Sequence, residues 1–399
     1  MSPTFAQLGV PESIVKALAR RGITEPFEIQ AATVADAMAG RDVCGHAPSG
    51  SGKTLAFGIP LVAKVGRAQP GRPRALVLAP TRELAEQITT EMRTFAGNVK
   101  VGVVYGGVGY GPQLGALRQG VDILVACPGR LEDLIQKRAV NLADVDRVVL
   151  DEADRMADMG FMPAVRRLLD RTSRDRQTML FSATLDGDVA ALTRDYQRSP
   201  VRHEVGEKTP DITAATHLFW SVAKADRSVV TAEAVNAAWP AIVFCRTRLG
   251  ADRLAKQLGK EGILAATIHG GRSQNQRTRA LVDFANAKVH ALVASDVAAR
   301  GIHVDDVASV IHFDVPEDAK AYVHRSGRTA RAGQGGVVVT LVQPEQVKYV
   351  LRMQRQVGLS EAITAPDASS LRALTPAPVR RVVPAKPAEG SRAEPTRPP

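Results

Sequence analysis

The sequence predicts an α/β protein of two tandem domains, each with a mostly parallel β-sheet flanked by helices. Three observations lead to this prediction. Short apolar runs of strand length alternate with segments that can form helices. The same alternation occurs twice along the 399 residues. Aromatic residues make up only 4% of the chain, so Ala, Val, Leu and Ile must supply most of the two cores.

Four apolar runs in the first half predict buried strands. Their apolar residues are consecutive, as expected for parallel strands that helices cover on both faces. The runs are Arg74–Pro80, Asp122–Pro128, Arg147–Asp151 and Gln177–Ser182. Thr81–Phe95 has the length and composition of a helix between two of them. We place the first α/β domain at residues 1–206.

The second half repeats this scheme. The predicted strands are Ala241–Cys245, Ala291–Ser295, Ser309–Phe313 and Gly336–Val342, with helices at Leu249–Leu258 and Gln274–Phe284. A polar stretch that contains Pro210 separates the halves, so we place a linker at residues 207–213 and the second domain at 214–360. Residues 361–399 are rich in Pro, Ala and Arg, a composition that predicts a disordered tail.

The formal net charge of +11 favours a polyanionic partner, although a solubilising surface charge gives the same excess. No apolar run approaches the length of a membrane span, and the first residues lack a signal-peptide pattern. Cys44, Cys127 and Cys245 lie far apart and form no zinc or disulfide pattern. We therefore expect a cytoplasmic protein with no membrane association.

A glycine-rich turn marks the first candidate site, because ligands of open α/β sheets bind beyond the carboxyl ends of strands. Ala47–Thr54 reads Ala-Pro-Ser-Gly-Ser-Gly-Lys-Thr and matches the phosphate-binding P-loop, with Ala47 in place of the first glycine. Lys53 is then expected at the β- and γ-phosphates and Thr54 at Mg²⁺. The predicted phosphate-binding residues are Ser49, Gly50, Ser51, Gly52, Lys53 and Thr54.

Two adjacent carboxylates end the predicted strand Arg147–Asp151. Successive side chains at a strand end point in different directions, so the two acids can have different roles. We expect Asp151 to hold Mg²⁺, partly through water, and Glu152 to orient and deprotonate an attacking water. An acid-rich helix N-terminus is the alternative explanation, which the P-loop upstream disfavours.

A basic segment, His324–Arg331, is the third candidate. Arg328 and Arg331 are three positions apart, so a helical turn would place both on one face. Arginines in such a position stabilise the charge of a phosphoryl group in transfer. A basic surface helix is the competing explanation.

Together these residues resemble the DEAD-box family of ATP-dependent RNA helicases. The tetrad Asp151-Glu152-Ala153-Asp154 spells the family's name, and the other motifs follow in the family's order from about Phe5 to Val342. These motifs are Phe5, Gly22, Pro26, Ile29 and Gln30, then Pro80–Leu84, Gly106-Gly107, Cys127–Arg130 and Ser182–Thr184, then Ile242–Arg248, His269–Gly271, Gln274 with Arg277, Ser295–Ile302 and His324–Arg331.

The resemblance implies two RecA-like domains with ATP between them and RNA bound across both. Gln30 would pair with the adenine edge, while Arg328 and Arg331 would reach the γ-phosphate from the second domain. Ser182 and Thr184 would couple hydrolysis to strand separation. The residues implied to face the RNA backbone are Thr81, Arg82, Gly107, Gly129, Arg130, Arg246, Arg277 and Ser295.

The chain departs from the family pattern at several positions near the implied sites. Ile23 stands where the family often has an aromatic residue that stacks on adenine. Phe27-Glu28 replaces Thr-Pro, and Cys127 replaces a threonine that can contact phosphate. His303 replaces an aspartate that touches the ATP ribose, so we hypothesise that His303 alters how strongly ATP closes the cleft.

The implied activity is ATP-dependent clamping of RNA with local, non-processive duplex unwinding, with ATP and Mg²⁺ as cofactors and low sequence specificity. An ATP-gated RNA clamp or RNP remodeller without net unwinding is the main alternative. A DNA-directed translocase and an RNA-annealing protein with a vestigial ATP site fit the motifs less well. A monomer is expected, with RNP or ribosome-assembly partners compatible with the family.

Overall fold

The computed structural model describes residues 3–48, 51–185, 187–205, 212–295, 307–329 and 335–374. Within these ranges the predicted fold class is confirmed, because the chain forms two seven-stranded sheets with helices on both faces. Every pairing between strands of these sheets is parallel. Most of the predicted linker, residues 207–211, lies outside the described residues.

The first sheet has the strand order β3-β4-β2-β5-β6-β1-β7. Its strands are β1 (Val43–His46), β2 (Ala75–Leu78), β3 (Val101–Val104), β4 (Ile123–Ala126), β5 (Arg147–Asp151), β6 (Gln177–Ser182) and β7 (Val201–Glu204). Its helices are α1 (Glu12–Ala19), α2 (Glu28–Met38), α3 (Lys53–Lys64), α4 (Arg82–Arg93), α5 (Tyr110–Arg118), α6 (Pro128–Gln136), α7 (Ala153–Asp158), α8 (Met162–Leu169) and α9 (Gly187–Tyr196).

Consecutive apolar residues mark the central strands because both faces of the sheet are covered. In β2, Ala75 and Val77 enter one apolar cluster while Leu76 and Leu78 enter the cluster on the other face. The four strands predicted in this half are confirmed. β1, β3 and β7 were not predicted as strands, and β7 alternates between exposed and half-buried residues because it lies at the sheet edge.

The second sheet has the order β10-β11-β9-β12-β13-β8-β14. Its strands are β8 (Ala215–Ser221), β9 (Ala241–Cys245), β10 (Ala265–Ile268), β11 (Ala291–Ser295), β12 (Ser309–His312), β13 (Gly336–Val342) and β14 (Ile363–Thr364). Its helices are α10 (Arg227–Ala237), α11 (Arg248–Lys260), α12 (Gln274–Ala285), α13 (Ala319–Ser326), α14 (Val347–Gln356) and α15 (Ala368–Leu374). The predicted strands of this half are again present, and β8, β10 and β14 are additional.

The prediction of a disordered tail from residue 361 is wrong in its first part. β14 pairs with β8, and the α15 residue Leu371 is fully buried in an apolar cluster with Trp220 and Val235. Composition obscured this because only a few apolar side chains hold the segment to the domain. Residues 375–399 lie outside the described residues.

The strand order brings the sequence motifs of the first domain together. β6 lies between β5 and β1, and all three run in the same direction. The P-loop follows β1, the acid pair lies at the end of β5, and Ser182 ends β6. All three motifs therefore meet at the carboxyl ends of these neighbouring strands. No helix within the described ranges is long and apolar enough to cross a membrane.

Candidate active site

The P-loop turn is shaped by Gly52, whose φ of +86° lies in the left-handed region that favours glycine. A Cβ at this position would overlap the amide of Gln30. Helix α3 begins directly after Gly52. The free N–H groups of the helix's first turn, and the partial positive charge of its N-terminus, therefore lie at the P-loop. This geometry suits an anion such as a phosphate group. Ser49 and Gly50 lie outside the described residues.

Lys53 and Thr54 take the places expected of them at the start of α3. The Lys53 ammonium is buried and its Nζ donates a hydrogen bond to the carbonyl of Ala47 at 3.0 Å. Thr54 is partly exposed, and the Ser51 hydroxyl donates to the carbonyl of Pro48 at 2.8 Å. Lys53 therefore stabilises the P-loop through this hydrogen bond, and its positive charge lies where a bound phosphate could interact with it.

Asp151 is a buried carboxyl group at the end of β5. Burial raises its pKa to about 7, although the Lys53 ammonium acts in the opposite direction. A cation bound beside Asp151 would offset this cost. No cluster of three His, Cys, Asp or Glu side chains suited to a metal occurs in the described ranges. Asp151 and Thr54 stay the ligands that the sequence predicts, and sites with one or two protein donors are typical of Mg²⁺ that substrate phosphates and water hold.

Glu152 adopts a strained backbone conformation, with φ +52° and ψ +53°. A residue other than glycine in this region typically costs about 1–3 kcal/mol, and such strain is concentrated at functional sites. Its carboxylate is buried and accepts a hydrogen bond from Arg155 at 2.7 Å. Sequence reasoning missed Arg155, although its spacing of three residues in a helix gave a signal.

The segment Ser182–Thr184 is hydrogen-bonded both to the acidic turn after β5 and to the start of the P-loop. The Ser182 hydroxyl accepts from the N–H groups of Asp154 at 3.1 Å and Thr184 at 3.4 Å. The carbonyl of Ser182 accepts from the N–H of Ala47 at 3.1 Å. Ser182 therefore links the acidic turn to the start of the P-loop by hydrogen bonds.

Gln30 lies against the P-loop, but its amide makes contacts that the sequence did not predict. Its Oε1 accepts from the Phe27 N–H and its Nε2 donates to the Gly52 carbonyl, both at 2.9 Å, and the side chain is 2% exposed. The amide therefore links the start of α2 to the P-loop. The ring of Phe27 is 60% exposed and would contact a Cβ at Gly52. It is an exposed aromatic surface beside the predicted nucleotide site, and the sequence analysis did not identify it.

Two of the departures from the family pattern are accounted for by packing. Cys127 is buried in the main apolar cluster of the first domain, and burial raises the pKa of its thiol to about 12. It is therefore a neutral core side chain. Ile23 is partly buried against the same cluster. His303 lies outside the described residues.

The residues predicted to contact RNA in the first domain lie close together. Gly107 has φ +81°, and a Cβ there would overlap the guanidinium of Arg82. Arg130 donates to the carbonyl of Val108 at 3.1 Å, which joins two of the predicted motifs. Thr81 caps α4 through a bond from the Leu84 N–H, and Gly129 is exposed at the start of α6.

In the second domain, Arg246 is exposed after β9, whereas Ser295 is buried at the end of β11. Arg277 is buried and spans the cleft, with its guanidinium 2.8 Å from the Glu83 carboxylate of the first domain. The predicted contact of Arg277 with RNA stays a prediction, and in this structure the guanidinium forms an interdomain ion pair with Glu83. The amide of Gln274 lies 3.3 Å from the same carboxylate.

The domains also meet beside the acidic turn. Lys320 pairs with Asp158 at 2.7 Å, and His324 lies near Asp154 and Asp158. Burial lowers the pKa of Arg155, Glu152 opposes this effect, and the positive charge of Arg328 adds to it. Arg328 is therefore close to the acidic turn. α13 ends at Ser326, and Arg328 lies in the turn that follows it. Arg331 lies outside the described residues, so the shared face of the two arginines stays a prediction.

Comparison with known proteins identifies two family models along the chain. Residues 27–192 match the DEAD/DEAH box helicases, and residues 227–333 match the helicase conserved C-terminal domain. DEAD-box ATP-dependent RNA helicase 30 of Arabidopsis thaliana is 37% identical over 92% of this chain and 64% of its own. ATP-dependent RNA helicase CshA of Listeria monocytogenes is 37% identical over 87% of this chain and 67% of its own. The chain spans about 60% of the length of several plant relatives.

Two solved structures are similar to this chain over both of its domains. S. cerevisiae Dbp5 bound to RNA and ADP BeF3 superposes with a TM-score of 0.80, at 25% identity over 92% of this chain and 96% of that one. A DEAD box protein from Methanococcus jannaschii gives 0.51, at 31% identity over 91% and 98%. The match covers both domains, so a score of 0.80 indicates that their relative placement is similar to that in the Dbp5 structure.

Proposed function

The chain belongs to the DEAD-box family of ATP-dependent RNA helicases, and we propose that it couples ATP hydrolysis to RNA clamping and local, non-processive duplex unwinding. The observation that supports this most is the interdomain cleft. Glu83 and Arg277 form a buried ion pair across it, and Arg328 approaches the acidic turn that carries Glu152. This arrangement supports a hydrolytic site to which both domains contribute residues.

On the ATP side, the first turn of α3 and Lys53 bind the phosphates. Asp151 and Thr54 would hold Mg²⁺, which supplies positive charge against the phosphates when bound. Glu152 orients the attacking water and accepts its proton, with Arg155 fixing the position of the carboxylate. Arg328, with Arg331, stabilises the charge that develops on the γ-phosphoryl group.

On the RNA side, closure aligns backbone-binding groups of the two domains. The groups of the first domain are Arg82, Gly107 and Arg130, which lie close together on the proposed RNA surface. Arg246 belongs to the second domain. Phosphate contacts of this kind do not read base sequence, so low sequence preference is expected. Because ATP and RNA favour the same closed state, each tightens the binding of the other. A monomeric state and partners in RNP or ribosome assembly stay predictions of the sequence.

An ATP-gated clamp without net unwinding uses the same residues and is the alternative. The deciding experiment measures ATP hydrolysis with and without single-stranded RNA, beside displacement of a short RNA strand from a duplex. We expect RNA to stimulate hydrolysis and ATP to drive displacement. Stimulation without displacement would favour the clamp. Hydrolysis that ignores RNA but responds to DNA would contradict both proposals.

Phe27 gives a prediction for nucleotide affinity. Its exposed ring lies beside Gln30 and Gly52, where a purine can pack on its face. We expect Phe27→Ala to raise the KM for ATP by about two- to tenfold, on the scale of 0.5–1.5 kcal/mol for an aromatic pair. Phe27→Tyr is the matched control and should retain affinity. An unchanged KM in Phe27→Ala would mean that the ring does not touch the base.

A further inference from the structure

A cationic cleft lies in the first domain, outside the ATP cleft and the predicted RNA contacts. Its volume is about 530 Å³. Ten residues line it, and they include Arg72, Arg118, Lys137 and Arg138. Four of these ten residues are Arg or Lys and none is acidic. The cleft therefore presents positive charge to a ligand.

Two of the four cations are available to a ligand. Arg72 is held by Asp144 through two short hydrogen bonds, and Lys137 lies 3.9 Å from Asp133, a weak pair. Within the described ranges, no carboxylate lies within ion-pairing distance of Arg118 or Arg138. Both are exposed, so their charges are compensated only by solvent and salt.

A continuous path joins this cleft to the proposed RNA surface. Arg130 lies 4.3 Å from the centre of the Tyr110 ring, and the Lys137 ammonium lies 5.0 Å from it. Lys137 also lines the cleft. Tyr110 is 37% exposed and its hydroxyl bonds to Asp133, which fixes the ring along α6. Arg130, Tyr110, Lys137, Arg138 and Arg118 form what we call the α5–α6 strip.

We propose that the α5–α6 strip binds the RNA strand where it leaves the clamped segment. The proposal rests on the proposed function, because continuity with Arg130 is what selects RNA as the ligand. Arginine and lysine neutralise backbone phosphates, and the Tyr110 ring holds two of these cations in line along α6. Helix α5 has nine residues and is about 13 Å long, so the strip spans only a few nucleotides.

The test compares a short oligouridylate with versions extended at the 5′ or the 3′ end, all bound with a non-hydrolysable ATP analogue. In the full-length chain, one extension should strengthen binding. Arg118→Glu with Arg138→Glu should remove that gain and leave the short oligonucleotide unaffected. The salt slope for the extended RNA should fall by about 1.4, from roughly 0.7 for each single-strand phosphate contact.

The matched control is Arg20→Glu with Arg171→Glu. This pair makes the same charge change at two exposed arginines of the first domain that lie away from the cleft. An equal loss in the control would make the effect one of net charge and overturn the proposal. An equal loss on short and extended RNA would overturn it too. So would an unchanged gain from the extension.

Failure of the proposed function gives a different result. In that case the wild-type chain does not bind the short oligonucleotide with the ATP analogue at all. The strip proposal would then be upheld only by binding of extended RNA that depends on Arg118 and Arg138. If the double variant weakens binding of polyglutamate and not of RNA, the cleft takes an acidic protein segment and the RNA assignment is overturned.

Discussion

Glu152→Gln is expected to lower the kcat of RNA-stimulated ATP hydrolysis by about 10²–10⁴, the usual contribution of a general base. The amide of glutamine keeps the shape and can still accept a hydrogen bond from Arg155. It cannot take a proton from water. Binding of ATP and of RNA should therefore survive, and the variant should stay in the closed, RNA-bound state because hydrolysis no longer reopens it.

Two measurements separate this loss from a folding defect. Glu152→Gln should still unfold in a cooperative transition, and it should bind RNA as tightly as the wild type when a non-hydrolysable ATP analogue is present. Glu132→Gln is a matched control, because Glu132 pairs with Arg167 on the surface of the first domain, away from the acidic turn. A Glu152→Gln enzyme with normal kcat would remove Glu152 from the chemistry and make its pair with Arg155 purely structural.

The parts of the fold predicted from the sequence are those with a local signal. Central strands such as β5 and β11 are buried on both faces, and an apolar run of strand length marks them directly. β7 and β14 lie at sheet edges, where solvent replaces one neighbour and the apolar run disappears. Their existence depends on the strand beside them, which comes from a distant part of the chain.

The same distinction applies to the candidate site. Lys53, Asp151 and Glu152 were identified because phosphate and metal chemistry require those residue types in short, fixed patterns. The contact of Gln30 with Gly52 depends on how α2 packs on the P-loop, and the pair of Glu83 with Arg277 on how one domain meets the other. No local pattern encodes such contacts, so the pair between Glu83 and Arg277 could not be predicted from the sequence.

The ion pair of Glu83 and Arg277 leads to the second large prediction. Both side chains are less than 10% exposed, and burial lowers the pKa of Arg277 while Glu83 opposes this effect. Removal of one partner from a buried pair costs about 3–5 kcal/mol, because the other charge is left uncompensated. Since the pair exists only when the domains meet, that cost falls on the closed state. We expect Arg277→Gln to weaken ATP-dependent RNA binding by about 10²–10³-fold.

Lys320→Gln is the matched control for this prediction. Its pair with Asp158 also joins the domains, but the lysine is 49% exposed, and such surface pairs contribute about 0–1 kcal/mol. Its effect on RNA affinity should be less than about tenfold. An equally large effect from Lys320→Gln would mean that any interdomain charge matters, and burial would not be the deciding factor.

Glu83→Gln distinguishes the interdomain role of Arg277 from a direct RNA contact. If Arg277 bound RNA phosphates, removal of a neighbouring negative charge would strengthen RNA binding. If the pair stabilises closure, the same change leaves a buried, unpaired guanidinium and weakens it. We expect weakening close to that of Arg277→Gln, with a smaller combined loss in the double variant than the sum of the two, because the pair is lost only once. Tighter RNA binding by Glu83→Gln would contradict closure as the role of this pair.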